Sequence, residues 1–395
     1  PMDSASFQLA NGLLGNPSSA TALEILLQGP ELTFLQDTAV ALCGAIAPVM
    51  LDGARQEMHS VIAVRAGQTL SIGQVEGPGA RLYLAIAGGF DCPEYLGSRS
   101  TFTLGQFGGH AGRALRSGDV LRFQSCPPVT SRSLPADALP TLADTMTLRV
   151  IYGPHGAPDF FTPADIDTFF DTEWEVHYNS SRTGVRLIGP KPEWARDSGG
   201  EAGMHPSNIH DNAYAFGTVD FTGDMPVILG PDGPSLGGFV CPATVITADL
   251  WKLGQLRAGS KLRFVAIDAG QAAGIEQERL AGLSQSRFVE GETPVPAALP
   301  SPIAHRGTLC GDDVVVRRSG DHFRLREVGP MHLDLPTRFR IHALILALET
   351  SKPAGVYELT PGIRSLQIHF DSQQLTEATV LSWLEAALVS LQNDE

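Results

Sequence analysis

Short runs in which apolar and polar residues alternate recur along the chain, between turns rich in its 42 glycines and 28 prolines, and this pattern predicts much β-structure. The run TLRVIYGP, which ends at Pro154, is one such strand. The period lengthens in TPADIDTFFDTEWEV, where Thr162 can cap a helix, Pro163 suits its first position and Asp165 follows the cap by three residues. The pattern therefore predicts a β-rich protein with a few well-signalled helices.

Two distant stretches of the chain share the same opening and the same close. One runs from Gly88 to Phe123 and the other from Gly237 to Phe264. Both open with Gly-Gly-Phe-x-Cys-Pro and close with Leu-Arg-x-Gly-x-x-Leu-Arg-Phe, although the segment between these landmarks is longer in the first copy. Because the order and nearly the spacing are kept, the pattern indicates an internal duplication and predicts two β-barrel lobes packed side by side.

The tail of the chain changes character and predicts a small α+β unit. The segments VVVRRSG and HFRLREVG are two predicted strands, and PTRFRIHALILALE is an amphipathic helix. Two more strands flank the turn at Pro361 and Gly362, and a second helix follows Thr376, which can cap it. The order ββαββα predicts an open-faced sandwich.

These elements predict five successive regions. They are an N-terminally incomplete first β-barrel lobe over 1–126, a linker over 127–146, a second β-barrel lobe over 147–268, a linker over 269–312 and the ββαββα domain over 313–395. A chain of 395 residues is long enough to bury more than one core of this size.

Composition and charge exclude several classes of protein. The formal net charge of −15 and the pI near 5.1 argue against a nucleic-acid partner. The five cysteines, with no CxxC spacing, indicate neither a disulfide framework nor a zinc site. No apolar run could span a membrane and no signal peptide opens the chain, so we expect a cytoplasmic protein without a membrane partner.

Candidate chemistry concentrates between Tyr178 and Phe239, where glycine turns and proline breaks alternate with polar residues. The polar residues that punctuate these turns and breaks include Arg182, Arg186, Lys191, Glu201, His205, Asn208, His210, Asp211, Asp224 and Asp232. A second glycine-dense segment, FGGHAGRALRSGD, lies in the first lobe and carries Arg113. Glycine at such density allows backbone N–H groups to approach a ligand closely, although most glycine turns are only turns.

The heptapeptide HPSNIHD allows three interpretations. His205, His210 and Asp211 are metal-ligand types, but their spacing matches no common metal motif. Ser207 beside His205 is a nucleophile only if a strained turn exposes it, and no GxSxG turn is present. Asn208 can offer a donor and an acceptor to a small planar ligand, or can instead satisfy the backbone of its own turn.

Several long motifs resemble the carboxyltransferase part of urea carboxylase, the family historically labelled allophanate hydrolase subunit 2. The motifs are YNSSRTGVRLIGPKP, GGEAGMHPSNIHD, VDFTGDMPVI and DGPSLGGFVCPA, together with GNPSSATALEILLQGPELTF, LAIAGGFDCPEYLGSRSTF and GRALRSGDVL nearer the start. From about Asp313 the tail resembles the beginning of the companion family, subunit 1. The resemblance implies cyclophilin-like barrels for the duplicated lobes, with Cys92 and Cys241 as equivalent small buried side chains.

The resemblance also implies a reaction, namely carboxyl transfer from N1′-carboxybiotin to urea, which gives allophanate. On this basis Asn208 is expected to bind urea, with His205, Asp211 and Asp224 as further catalytic groups. The remaining expected site residues are Arg182, Lys191, Gly237 and Gly238 for the substrate and Arg113, Gly108 and Gly109 for the cofactor, with no metal ligand. The expected partners are urea, biotin carboxylase and biotin carboxyl carrier domains, and a further subunit-1-like barrel.

The departures from the family pattern leave alternatives open. The strands that normally precede the counterpart of Met2, the large barrel that normally follows the tail, and the Met-Lys-Met biotin-attachment tripeptide are not found in the sequence. We therefore expect biotin to be carried and carboxylated on another domain or chain. The alternatives are a truncated regulatory or binding relative, similar to the kinase-inhibitor members of the family, and the same chemistry on guanidine or 5-oxoproline.

Overall fold

The computed structural model describes residues 1–124, 129–294, 298–309 and 312–393. These residues form two compact units. The first comprises Pro1–Asp144, Leu250–Arg257 and Glu278–Gly291, and the second comprises Thr145–Asp249, Ala258–Gln277 and Glu292–Glu395. Each unit is built around its own apolar clusters.

The first unit begins with a helix and continues in short strands. These are α1 Ser4–Leu13, β1 Leu23–Leu26, β2 Glu31–Thr33, β3 Thr38–Gly44, β4 Val49–Leu51, β5 Ala54–Gln56, β6 Val61–Val64, β7 Thr69–Ile72, β8 Arg81–Ile86, β9 Phe90–Asp91 and β10 Arg122–Phe123. They form two four-stranded sheets, ordered β1-β8-β3-β6 and β2-β7-β4-β5, and the short ribbon β9-β10. Side chains of both four-stranded sheets, such as Val40 and Leu70, share one core.

Helix α1 starts at a buried polar network. The Asp3 carboxylate caps the helix by accepting hydrogen bonds from the Ser6 N–H at 2.9 Å and from the Ser6 hydroxyl at 2.6 Å. Gln255 Nε2 donates a third at 2.6 Å, and the Asp3 N–H donates to the Tyr83 hydroxyl. Burial raises the pKa of Asp3, while the donors from Ser6 and Gln255 oppose that rise.

The second unit contains a closed barrel and a ribbon outside it. Its elements to the end of the barrel are β11 Thr145–Tyr152, α2 Pro163–Asp171, β12 Trp174–Val176, β13 Gly184–Ile188, β14 Asn208–Ala213, β15 Thr218–Thr222, β16 Met225–Leu229, β17 Leu236–Phe239, β18 Ala243–Val245 and β19 Lys261–Ala266. The barrel order is β11-β18-β15-β16-β13-β12-β19. Strands β14 and β17 pair only with each other among the described strands, with Asn208 opposite Phe239.

A layered α/β region completes the second unit. After α3 Ala269–Ser284 come β20 Ile303–Leu309, β21 Asp312–Arg318, β22 Phe323–Val328, α4 Leu335–Thr350, β23 Val356–Pro361, β24 Ser365–Phe370 and α5 Glu377–Asn393. The sheet order is β20-β21-β22-β24-β23. Helices α4 and α5 share one apolar cluster with the sheet, in which Leu344 and Leu384 meet Val316 and Leu366.

The mainly β fold with an α+β tail is confirmed. Helix α2 has the expected capping box of Thr162 and Asp165, and Thr376 accepts from the Thr379 N–H at the start of α5. The predicted tail is found with one further strand, β20, before it. Helix α3 occupies the first part of the segment predicted as a linker over 269–312, whereas the proposed domain boundaries themselves stay a prediction.

Among the described residues, no helix is long and apolar enough to cross a membrane. Cys43 and Cys241 are buried and Cys92 is half-buried, each as a free thiol. The expectation that Cys92 and Cys241 are equally buried is therefore wrong for Cys92. Cys126 and Cys310 lie outside the described residues.

Candidate active site

A cluster of four side chains forms where three loops of the second unit meet. Asp224, in the β15–β16 turn, accepts a hydrogen bond from Trp194 Nε1 at 3.1 Å. Its other oxygen lies 3.4 Å from Lys191 Nζ, and His205 Nε2 lies 3.4 Å from the oxygen that Trp194 also contacts. The Trp194 and His205 rings meet edge to face at 5.6 Å. The structure thus brings together three residues expected from the sequence and adds Trp194.

The hydrogen bonds around His205 indicate its tautomer. The Ser207 N–H donates to His205 Nδ1 at 3.1 Å, so Nδ1 is an acceptor and the neutral ring carries its proton on Nε2. The Ser207 hydroxyl lies 2.9 Å from the same Nδ1 and is therefore assigned as a second donor. The protonated Nε2 then faces Asp224, which orients the ring.

Asp224 is better suited to hold charge than to accept a proton. The hydrogen bond from Trp194 is the largest cause of a lowered pKa for this carboxyl, and Lys191 and His205 contribute in the same direction. Because three donors surround one carboxylate, its ionised form is stabilised. Asp224 therefore fixes the positions of its neighbours.

Asn208 closes the turn before β14 and leaves one end of its amide available. The His205 N–H donates to Asn208 Oδ1 at 3.1 Å, and the Asn208 N–H donates to the His205 carbonyl at 3.0 Å. Because a backbone N–H must face an oxygen, this contact fixes the orientation of the amide. Among the residues that the structure describes, none accepts a hydrogen bond from Nδ2. Asn208 thus satisfies its own turn through Oδ1, and Nδ2 is available to donate to a ligand.

A glycine-rich loop packs directly against Asn208. A Cβ atom at Gly199 would lie 2.7 Å from Asn208 Cβ, and one at Gly203 would lie 2.8 Å from Asn208 Oδ1. Gly203 also has a φ of 144°, which favours glycine. Glycine at these two positions lets the loop enclose the asparagine.

The other two interpretations of the heptapeptide find little support in this geometry. Ser207 is 0% exposed, so its hydroxyl cannot reach a substrate. His210 Nε2 lies 4.0 Å from a Glu201 oxygen, and Glu201 itself receives the Leu333 N–H at 2.8 Å. In the described part of the chain, no group of three or more His, Cys, Asp or Glu side chains is arranged to hold a metal ion.

Asp211, Gly237 and Gly238 lie on the same two-stranded ribbon as Asn208. Asp211 is exposed on β14, and a Cβ atom at Gly238 would lie 2.9 Å from Asp211 Oδ1. Gly237 packs against Tyr214, whose hydroxyl accepts the Phe239 N–H at 2.7 Å. The ribbon therefore places the expected backbone donor pair next to the expected carboxylate.

Two arginines expected in the site are held by neighbouring aspartates. Arg182 forms a two-pronged pair with Asp232, at 2.8 and 3.1 Å, beside a glycine turn of the second unit. Arg113, in the first unit, forms the same kind of pair with Asp119 at 2.8 and 2.9 Å. Each guanidinium fork is thus engaged within its own unit.

The geometry around Gly108 and Gly109 does not fit an open cofactor cradle. A Cβ atom at Gly108 would lie 2.2 Å from the Ser100 carbonyl oxygen, and one at Gly109 would lie 1.8 Å from the Thr101 hydroxyl. Both glycines are required because their own loop folds back on them. The assignment of this loop to carboxybiotin stays a prediction.

Sequence reasoning missed Trp194 and Arg196, which follow the KPE segment. Trp194 has a φ of 64° and stacks on Phe161 at 4.9 Å, and neither feature can be inferred from composition. Arg196 donates to the carbonyl oxygens of Pro206 and Asn208. A tryptophan and an arginine between a proline break and a glycine-rich loop were the only signals available.

The fold and this cluster define a class of protein, a mainly β protein with a closed barrel and a candidate polar site beside it. The family description "Carboxyltransferase domain, subdomain A and B" matches residues 1–266, and "Carboxyltransferase domain, subdomain C and D" matches residues 314–395. The chain belongs to the carboxyltransferase domain family.

Similar proteins include urea amidolyases and a urea carboxylase. Urea amidolyase of Saccharomyces cerevisiae is 42% identical over 100% of this chain and 22% of that protein. A 5-oxoprolinase subunit of Haemophilus influenzae is 32% identical over 74% of this chain and 89% of that protein. The crystal structure of the Kluyveromyces lactis urea carboxylase matches with a TM-score of 0.94 at 41% identity, covering 99% of this chain and 36% of that chain. This chain therefore spans only a part of the urea amidolyases and the urea carboxylase that it matches.

Proposed function

We propose that the chain is the carboxyltransferase part of a biotin-dependent urea carboxylase. The observation that carries this proposal is the match along the whole chain to urea amidolyase at 42% identity, supported by the close structural match to a urea carboxylase. The match to the 5-oxoprolinase subunit extends over 74% of the chain at lower identity. The reaction moves the carboxyl group of N1′-carboxybiotin to a nitrogen of urea and yields allophanate.

Biotin, carried and carboxylated on other domains, supplies the carboxyl group when it is bound. Urea nitrogen is a weak nucleophile, so the residues of this chain must hold it in place and remove a proton. Asn208 Nδ2 donates to the urea carbonyl oxygen, because Oδ1 is already held by the His205 N–H. Asp224 and His205 form the adjoining wall.

The orientation of Asn208 also favours urea over guanidine. Urea offers a carbonyl acceptor to Nδ2, whereas the guanidinium ion has donors only and would leave Nδ2 facing another donor. The Asp224 carboxylate already faces three donor groups, those of Trp194, Lys191 and His205. We therefore assign proton acceptance to Asp211, the exposed carboxylate of the ribbon.

The first test is carboxyl transfer by the 395-residue chain. Purified protein is mixed with a separately prepared carboxybiotin donor and urea, and allophanate is measured. We expect product from the wild type and a loss of at least about a hundredfold in kcat/KM for Asn208→Ala, because the proposed hydrogen bond to the substrate is removed. Gln285→Ala removes an exposed amide from the first unit and should retain full activity.

If the wild type makes no allophanate, two explanations can be distinguished. If wild type makes no allophanate from urea but carboxylates 5-oxoproline or guanidine, the substrate assignment is wrong. If it carboxylates none of the three, while a longer protein carrying the adjoining domains does, the 395-residue chain is a binding or scaffold part. Activity equal in wild type and Asn208→Ala would remove Asn208 from the site.

The second test exchanges the donor of Asn208 for an acceptor. Asn208→Asp keeps the oxygen that receives the His205 N–H and replaces Nδ2 with a carboxylate oxygen. We expect the ratio of kcat/KM for urea to that for guanidine to fall at least about tenfold, since the variant can accept from guanidinium. An unchanged ratio would contradict the proposed orientation of the amide.

A further inference from the structure

We propose that Arg196 is the positioning residue that sets the urea-binding turn, so that it acts through Asn208 without touching the substrate. This inference rests on the proposed function of Asn208. Arg196 lies in the segment between β13 and the glycine-rich loop, twelve residues before Asn208 in the chain.

The guanidinium of Arg196 ties together two carbonyl groups of the turn. Its Nε donates to the Pro206 carbonyl at 2.8 Å, and its Nη2 donates to the carbonyls of Pro206 and Asn208, each at 2.5 Å. These two carbonyls flank Ser207, whose N–H and hydroxyl contact His205. One side chain therefore holds both ends of the segment that carries the candidate site.

Only a planar fork can make these contacts together. Arginine presents Nε and Nη2 on one edge, whereas lysine offers a single ammonium group on a flexible stem. The fork is itself held in place, because its Cζ lies 4.9 Å from the centre of the Phe160 ring, a cation–π contact. Arg196 is thus oriented by Phe160 on one face and by two carbonyls along its edge.

Phe160 also contacts a buried ion-pair network of the same unit. Arg317 lies 5.4 Å from the Phe160 ring centre and bonds to Glu327 and Asp159. His155 meets the same ring edge to face at 4.9 Å. Phe160 therefore has little freedom to move, and the position of Arg196 follows from it.

The other hydrogen bonds of the turn come from its own residues and from the Val240 N–H, which donates to the Ser207 carbonyl at 2.9 Å. The adjoining loop has glycine at 199, 200 and 203, and glycine loses the most conformational freedom on folding. Without the fork, the turn would be closed by the reciprocal bonds between His205 and Asn208, the Ser207 bond to His205 and the bond from the Val240 N–H. We expect those bonds to open more often, so that the Asn208 amide is correctly placed for a smaller fraction of the time.

The experiment uses Arg196→Lys and Arg196→Gln in the full chain. Arg263→Lys is the matched control, because Arg263 is an exposed barrel arginine paired with Glu173. Amide hydrogen exchange is measured for peptides covering residues 203–210. We expect exchange there to accelerate about tenfold in both Arg196 variants, with β11 and β19 unchanged, and no acceleration in the control. Unchanged exchange over 203–210, or acceleration throughout the unit, would overturn the proposal.

A double-mutant cycle supplies the functional readout. Arg196→Lys should raise KM for urea about tenfold with a smaller effect on kcat, since it lowers the fraction of correctly placed Asn208. Combined with Asn208→Ala, it should add little further loss, because residues acting as a unit are not additive. Additive losses would contradict action through Asn208. If wild type does not use urea at all, the proposed function fails, while the exchange result still decides whether Arg196 holds the turn.

Discussion

The hexapeptide Gly-Gly-Phe-x-Cys-Pro occurs twice and adopts a different backbone conformation in each compact unit. In the first copy Gly88 and Gly89 have φ angles of 81° and 77° and form a turn into β9. In the second copy the two glycines lie within the extended strand β17, which pairs with β14. The conformational freedom of glycine permits both forms, so the partner strand decides between them.

The closing Leu-Arg-Phe segments differ in the same way. In the first copy Phe123 of β10 pairs with Phe90 of β9, so the opening and close of the motif contact each other. In the second copy the close lies in β19, a barrel strand parallel to β11 and antiparallel to β12. The duplication therefore preserves sequence landmarks without preserving strand partners.

The two copies also differ in the polar groups buried beside them. Cys241 is 1% exposed, and its N–H donates to His155 Nδ1 at 3.0 Å. Asp220, 4% exposed, raises the pKa of the Cys241 thiol further, after burial itself. Among the described residues, Asp220 Oδ1 has no hydrogen-bond partner, whereas the buried Asp3 of the first unit is surrounded by donors.

The largest expected effect concerns the buried Asp220 carboxyl. Burial raises the pKa of Asp220 to about 7, against the opposing effects of the Arg186 charge and of a hydrogen bond with Thr222. A carboxyl with a raised folded-state pKa binds its proton more tightly in the folded state, so stability is lost as pH rises from about 4 to above 7. Asp220→Asn should therefore stabilise the protein by about 4 kcal/mol at pH 8.5 and by less than half of that at pH 5.

Thermal unfolding of wild type and Asp220→Asn at both pH values checks this prediction. Asp37→Asn, which changes an exposed carboxyl of the first unit, serves as the control and should alter stability little at either pH. A gain from Asp220→Asn that is the same at pH 5 and pH 8.5 would show that its charge is not the cause.

The second prediction contrasts the two cysteines of the motif. Alkylation requires an accessible thiolate, and burial raises the pKa of Cys241 well above that of an ordinary thiol. The half-buried Cys92 should react with iodoacetamide faster than Cys241 by roughly a hundredfold. Site-resolved mass spectrometry of the native protein measures both rates, and unfolded protein should show equal rates. Comparable native rates would mean that the two copies are packed alike.

The smallest expected effect tests why glycine is required in each of the two glycine pairs. Gly89 is required by its positive φ, which asparagine tolerates better than alanine. Gly237 is required by space, since a Cβ atom there would lie 2.3 Å from the Tyr214 ring. Alanine should cost about 1–3 kcal/mol at position 237, and asparagine more. At position 89 asparagine should cost less than alanine, by about 1 kcal/mol.

Calorimetric melting of the four single variants tests this crossed order. Positions 89 and 237 require glycine for different reasons only if the ranking of alanine and asparagine reverses between them. The same ranking at both would indicate that the two glycine pairs have one common role.

Local signals in the sequence were sufficient to predict several helices and strands and to identify the family. The capping box of Thr162 and Asp165 determines where α2 begins, because both partners lie within one helical turn. The alternating pattern of β11 and the turn between β21 and β22 are local in the same sense. The long motifs also determined family membership, since they extend over nearly the whole chain.

The tertiary structure alone decided which polar residues meet. Asp224 meets both His205 and Trp194, which lies thirty residues earlier in the chain, and Arg113 is engaged by Asp119 of its own loop. The sequence likewise determined that a glycine pair recurs, but the packing of β14 and Tyr214 decided that the second pair is extended. Propensity and capping act over a few residues, whereas these contacts depend on the packing of segments that are distant in the chain.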